Sequence, residues 1–194
     1  MTTTTIAILQ IMFTMMMAIY SSRGLPNPES HQDRLYGVAE DFIAVGQAEP
    51  IFAGEAAPEA TALALYAVTA HESGFHEGVQ DCSACWIGGP LCDHGKSITL
   101  FQLQGPLSWG PYTRQQLCSD NARATERGRF VLSKYQRAGT THGLFAGYAQ
   151  SKALGAEMNW LFLHACRKAG IVVQFRGGAL SASFVENSEQ NWGS

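Results

Sequence analysis

A mostly helical α+β domain is what this 194-residue chain predicts. Three observations lead there. Apolar residues recur at helical spacing through most of the chain. One stretch, Pro58 to Ser73, is apolar on nearly every side, the mark of a helix buried all round. The one long break in helical periodicity, Gly78 to Gly105, is rich in glycine and cysteine and leaves room only for an irregular loop with one or two short strands. The length suits one domain with a real core.

Taken in order, Ile6 to Tyr20 is almost wholly apolar, with Met12, Met15, Met16 and Met17 prominent. No Lys or Arg precedes it, so the basic start of a signal peptide is missing, and it falls short of the ~20 residues that span a bilayer. A helix packed on the domain or on a partner is expected, since Met-rich helices make adaptable packing surfaces. A membrane-seeking or uncleaved export segment and disorder are the alternatives. Gly24 to Ser30 is a breaker-rich linker with Pro26 and Pro28. Residues 1–25 are therefore read as an apolar N-terminal helix or anchor plus linker, 26–180 as the domain proper, and 181–194 as a loose C-terminal tail.

Within the domain, Ser30 to Val45 reads as a helix with Leu35, Val38, Phe42 and Ile43 on one face and Ser30 as N-cap. Pro58 suits the first turn of the apolar helix, and Gly74 suits its stop. Ile98 to Leu103 has the short alternation of a strand. Further helices are expected at Tyr112 to Leu117, at Asn121 to Arg137 capped by Ser119 or Asp120, at His142 to Lys152, and at Ala156 to Lys168 with Gly170 as the stop. Ile171 to Phe175 can form a strand.

Thirteen basic against sixteen acidic residues give a formal charge of -3, with no basic run. Nucleic acid is excluded as a partner on that ground, because phosphate neutralisation needs clustered Lys and Arg. The five cysteines are Cys82, Cys85, Cys92, Cys118 and Cys166, an odd number that leaves at least one outside any intramolecular pairing. A disulfide in the loop, most simply Cys82 to Cys92, would staple a segment with little apolar content and imply an oxidising destination. The competing use of the loop is a zinc site from Cys82, Cys85, Cys92 and His94. No metal and no cofactor are expected.

The chemistry centres on Glu72. A carboxyl at the end of a buried helix is poorly solvated, which raises its pKa and keeps it protonated near neutrality, as a general acid in glycoside cleavage requires. An ordinary Glu at a helix C-terminus would be slightly unfavourable against the dipole, so its presence calls for a reason. His71-Glu72 with His76 is not the zinc-protease helix, which needs histidines four apart, about 40° around the axis; these are five apart, about 140°. A Gly-x-Ser-x-Gly nucleophile elbow is missing. Downstream, Gly95-Lys96-Ser97 with Phe101 and Gln102 supplies a hydroxyl, an amide and an apolar platform, the usual lining of a sugar groove.

Glu72-Ser73-Gly74-Phe75, the segment Gly95 to Gln102, and Phe145-Ala146-Gly147-Tyr148-Ala149 follow one another in the order used by soluble lytic transglycosylases and goose-type lysozymes, including phage-borne versions. The chain resembles this lysozyme-like superfamily over roughly residues 57 to 170. Thr99 stands where the second glycine of the middle element is usual, Phe101 where Met is common, and Ala149 where Asn follows the tyrosine. The resemblance implies a lysozyme-like helical domain with its small β element after the catalytic helix. It also implies cleavage of the MurNAc to GlcNAc β-1,4 bond of peptidoglycan glycan strands, with Glu72 as acid and then base. Ser97, Phe101, Gln102 and Tyr148 would line the cleft, and Asp81 or Asp93 would be the second carboxylate if hydrolysis is the reaction. A single-acid transglycosylase route is favoured. Action outside the cytoplasm, at the cell envelope or from a virion, follows from it, with the N-terminal apolar helix docking to a larger assembly or membrane. The contrasting expectation is an inactive structural or binding module of a virion or envelope complex that has kept the fold.

Overall fold

The computed structural model describes residues 2–22, 28–136, 140–176 and 179–185. The architecture is mostly α with a few short strands, as expected, and it is organised around helix α3 (Ala57–Glu72), in which Ala57 and every residue from Glu59 to Ala70 are buried. Helices α1 (Thr3–Ser22), α2 (Gln32–Ala48), α8 (Asn121–Ser133) and α10 (Lys152–Lys168) pack around it. The alanines at 60, 62, 64, 67 and 70 of α3 let these neighbours approach closely, and Gly46 of α2 lies where a Cβ would stand 2.4 Å from the Pro58 carbonyl oxygen. Helix burial on this scale is driven by removal of apolar surface from water and by dense packing, to which each side chain contributes a small part.

The expected helices form, with shifted ends. A 3₁₀ turn, Pro28–His31, precedes α2, so Ser30 lies inside that turn and does not cap the helix. Asp120 caps α8, its side chain accepting from the Arg123 amide at 3.0 Å. Helix α9 (Thr141–Ala149) stops at Gln150, which adopts a left-handed conformation at φ 51°, and Ser151 immediately caps α10. The break thus comes ahead of the Lys152 end that periodicity suggested. A close helical hairpin results, in which Gly155 sits directly on the Ala146 backbone. The short helices α4 (Glu77–Gln80), α6 (Gly105–Trp109) and α7 (Arg114–Ser119) and a left-handed turn, α5 (Cys92–Gly95), punctuate the loop region, where β1 (Ser97–Ile98) pairs antiparallel with β2 (Leu103–Gln104). The predicted linker residues 24–27, the end of the α8 prediction at Arg137 and Gly139, and tail residues 186–194 lie outside the described residues.

At the C-terminal end, β3 (Ile171–Arg176) pairs with β4 (Ala179–Phe184), so the boundary drawn at residue 181 falls inside a strand. Backbone bonds explain the order found there. The Ala53 amide donates to the Leu180 carbonyl at 2.9 Å and the Ala182 amide to the Ala53 carbonyl at 2.7 Å, sewing the hairpin to the loop ahead of α3.

Helix α1 has the length and mean hydropathy, 1.6, of a membrane span. One face of it, however, is buried against the domain: Ile8, Leu9, Met12, Met16 and Tyr20 share the main core with α2 and α3. Its other face carries Ile6, Ala7 and Ala18 exposed.

Two disulfides form, Cys82–Cys118 and Cys85–Cys92, with Cys166 free and buried. The Cys82 to Cys92 pairing is therefore corrected. Cys82 takes a left-handed conformation (φ 62°) that belongs to the turn facing α7, whereas Cys85 and Cys92 close a small separate apolar cluster with Val79. The thiols of the alternative zinc set are all consumed in these bonds, and His94 Nδ1 lies 3.1 Å from the Gly89 carbonyl oxygen.

Two outcomes follow from this packing. Met12→Ala and Met16→Ala should each destabilise the full-length protein by about 2 to 4 kcal/mol through the cavities they leave, measured by urea unfolding; values near zero would remove α1 from the core. The Cys82–Cys118 bond spans 36 residues and Cys85–Cys92 only 7. Loop-closure entropy therefore predicts that the double Ser variant of the longer bridge loses about 1 to 2 kcal/mol more than that of the shorter one.

Candidate active site

The Glu-Ser-Gly-Phe run works as a device for ending α3 in one orientation. Ser73 Oγ donates to the Thr69 carbonyl at 2.9 Å and accepts from the Phe75 amide at 3.3 Å. Gly74 then turns left-handed at φ 56°, and Phe75 (φ 64°) drops into the core to stack on Tyr66 at 5.9 Å. Arg34 Nη2 holds the Phe75 carbonyl at 2.8 Å. With the helix end pinned on both sides, His71 turns toward Glu157, 3.3 Å away, and Glu72 turns the other way, into a cleft.

That cleft has a volume of about 350 Å³ and is lined mainly by polar groups. It brings together Glu72, Asp93, Ser97, Gln102 and Tyr148, five of the residues singled out from the sequence, which come from α3, α5, β1, the turn after β1, and α9. Ser97 sits on β1 opposite Gln104. Gln102 has a left-handed backbone (φ 49°); its amide nitrogen and its side-chain Nε2 both donate to the Thr99 carbonyl, at 3.0 and 3.1 Å. Tyr148 donates its hydroxyl to the Phe101 carbonyl at 2.5 Å.

Phe101 and Asp81 need correction. Thr99 (φ 63°) and Gln102 form a tight reversal that breaks the strand alternation, so the Phe101 ring points away from the cleft. It is fully buried, edge-on to Phe42 at 5.9 Å, in the space left by Gly128 of α8. Phe101 offers the cleft no apolar platform; its contribution is the carbonyl that fixes Tyr148. Asp81 accepts from the Ser83 amide at 2.8 Å and borders a different cavity, of about 240 Å³, with Arg34 and Gln80. Of the two candidate second carboxylates, Asp93 alone lines the cleft with Glu72.

Burial, and then the charge of Asp93, push the Glu72 carboxyl up from its ordinary value to about 7. Among the described residues no group hydrogen-bonds that carboxyl, so nothing offsets the loss of water. Asp93 is in the opposite situation, since Gln104 Nε2 donates to its Oδ2 at 2.8 Å. The two carboxyls thus sit in contrasting surroundings, one without a hydrogen-bond partner among the described residues and one held by Gln104. Tyr148 is raised well above its ordinary value by burial, then by Glu72 and Tyr135, and so remains a donor.

Gln104, Ser108, Tyr135 and Gln150 also line the cleft and were not singled out from the sequence. Gln104 stands opposite Ser97 only because of the reversal at Thr99 and Gln102, which alternation along the sequence does not reveal. Gln150 carried no signal, as its position depends on a left-handed helix end without glycine. A larger groove, of about 600 Å³ and more apolar, lies beside His71, Glu157 and Trp160. Its carboxylate, Glu157, lies 3.3 Å from His71 Nδ1.

Comparison of the chain with models of protein families, with curated proteins and with solved structures finds no match. Function must be argued from the site.

The raised pKa has a stability consequence with a definite sign. The folded state holds the Glu72 proton up to about pH 7, whereas the unfolded chain releases it near 4.5. Stability contributed by the protonated group is complete below the unfolded value and is lost as pH rises through about 7. Glu72→Gln should therefore leave stability nearly unchanged at pH 4 and raise it at pH 8, by on the order of 2 to 3 kcal/mol. Thermal unfolding of the two proteins at both pH values checks this, and an equal difference at both would mean the carboxyl is not held neutral.

Proposed function

We propose that the protein cleaves the MurNAc to GlcNAc β-1,4 bond of peptidoglycan glycan strands, with Glu72 as general acid and then base. The observation that carries this reading is a carboxyl raised to about 7 in a polar cleft it shares with a second, hydrogen-bonded carboxylate. The resemblance of the Glu72 to Phe75, Gly95 to Gln102 and Phe145 to Ala149 segments to lytic transglycosylases and goose-type lysozymes supplies the substrate class.

In the proposed reaction the protonated Glu72 gives its proton to the glycosidic oxygen as the C–O bond breaks. Charge develops on the anomeric carbon and ring oxygen as the bond breaks. The Glu72 carboxylate then takes the proton of the sugar's own C6 hydroxyl, whose oxygen closes on the anomeric carbon to leave a 1,6-anhydro end. Gln102, Ser97 and Gln104 offer amides and a hydroxyl to orient the sugars. Two disulfides suit an oxidising compartment, which supports action outside the cytoplasm, where the proposed substrate lies. The exposed face of α1 would serve attachment to a larger assembly, such as a virion, or to membrane.

Glu72→Gln should keep the fold and lower turnover on purified cell walls at least about a hundredfold. The wild-type rate should fall as pH rises through about 7, because the acid form of Glu72 is the reactive one. Asp93→Asn removes a neighbouring negative charge, so it should shift that limb to lower pH while keeping most of the turnover. Mass spectrometry of the products should find 1,6-anhydro ends. Reducing ends together with a loss of activity in Asp93→Asn would instead assign hydrolysis with Asp93 as base. A wild-type protein without activity on peptidoglycan would leave a binding module.

A further inference from the structure

The cleft encloses only a short length of any polymer cut within it, so a glycan strand must leave over the rim. The segment that carries Asp93 is joined to a tight turn, Trp86-Ile87-Gly88-Gly89, closed by the Gly89 amide donating to the Trp86 carbonyl at 3.0 Å, with Gly88 supplying the positive φ of 82°. Trp86 is 55% exposed and Ile87 92%. The turn thus presents two adjacent large apolar side chains to solvent.

The turn is rigidly joined to the catalytic cleft. Cys85, just before it, is bonded to Cys92, next to Asp93. Arg114 donates to the carbonyls of both Cys85 and Gly95, and the Gly88 amide donates to the His94 carbonyl at 3.0 Å. Gly95 lies so close to the Trp86 backbone that a Cβ would stand 2.4 Å from its carbonyl oxygen.

The indole itself is held in one orientation. A Cβ built on Gly89 would stand 2.7, 2.8 and 2.9 Å from Trp86 Cε2, Nε1 and Cδ2. Near-equal distances to three atoms of the five-membered ring put Gly89 over the face of that ring, not at its edge. One face of the indole rests on Gly89, and the exposure must come largely from the other.

We propose that Trp86 is a sugar-stacking subsite that grips the glycan strand where it leaves the cleft; this rests on the function proposed above. β-Linked pyranose rings present a sheet of C–H groups, which carry partial positive charge and pack on the negative face of an aromatic ring. A ring fixed beforehand loses little freedom on binding, which favours affinity. Continuity with the cleft through Asp93 and Gly95 selects the same polymer as occupant over an unrelated partner.

The test uses the full chain carrying Glu72→Gln to block turnover, titrated calorimetrically with the peptidoglycan disaccharide and with purified strands of several disaccharides. The longer strands should bind more tightly, and adding Trp86→Ala should remove about tenfold of that advantage, while Trp86→Phe keeps part of it. Should the alanine variant fail to fold, Trp86→Phe against Trp86→Leu decides, with only the aromatic keeping the preference for length. Equal loss for disaccharide and strand, or no loss for the strand, would overturn the subsite and leave the Glu72 assignment standing. So would a loss of binding to anionic phospholipid vesicles in place of glycan, which would make the turn a membrane contact. If neither sugar binds the Glu72→Gln chain, the proposed function fails and the subsite with it.

Discussion

A helix that is apolar on every side is stable only where protein covers every side, and α3 imposes that constraint on the rest of the molecule. Four helices and the C-terminal hairpin close around it, and its small residues set how near they come. The helix must nevertheless end, and its last residue is a carboxylic acid. Ser73, Gly74 and Phe75 fix the exit so that this acid turns into the cleft, and its proton affinity is raised by the burial found there. Stability and proton affinity are linked at Glu72 through desolvation.

The other side of the cleft is built on a different principle. The segment from Cys82 to Gln104 has little regular structure and contains six left-handed residues with side chains, Cys82, Cys92, Asp93, His94, Thr99 and Gln102, besides Gly88 and Gly95. Such backbone is costly for residues with side chains and persists only where the surroundings over-determine it. Here two disulfides, the Arg114 contacts and the Gln104 to Asp93 bond do so. Helix packing supplies the acid, and cross-linked irregular chain supplies the polar wall that faces it.

This division explains what could be read from sequence. The helical class, α3 itself and the placing of Glu72 at its end follow from periodicity and from a lack of charge, both local properties. Glu72, Asp93, Ser97, Gln102 and Tyr148 do meet in one cleft. The failures lie where long-range or left-handed structure takes over. Phe101 looked like a platform from its residue type beside Ser97 and Gln102, and the reversal at Thr99 and Gln102 that turns its ring into the core involves no glycine that would have announced it. Cys82 pairs with Cys118, 36 positions away, which no spacing within the loop reveals. The end of α9 at Gln150 and the strand through Ser181 to Phe184 were missed for the same reason: tertiary contacts, not local preference, decide them.

The central claim is that the Glu72 carboxyl of the folded, free protein is neutral over most of the range in which an ordinary glutamate is charged. Its titration can be followed directly by carboxyl-carbon NMR, with Glu72→Gln identifying the resonance. A midpoint at about 7 is the predicted result, falling when Asp93 is replaced by Asn. A midpoint at the ordinary value near 4.5 would show a solvated carboxylate, and the acid role built on its burial would be wrong.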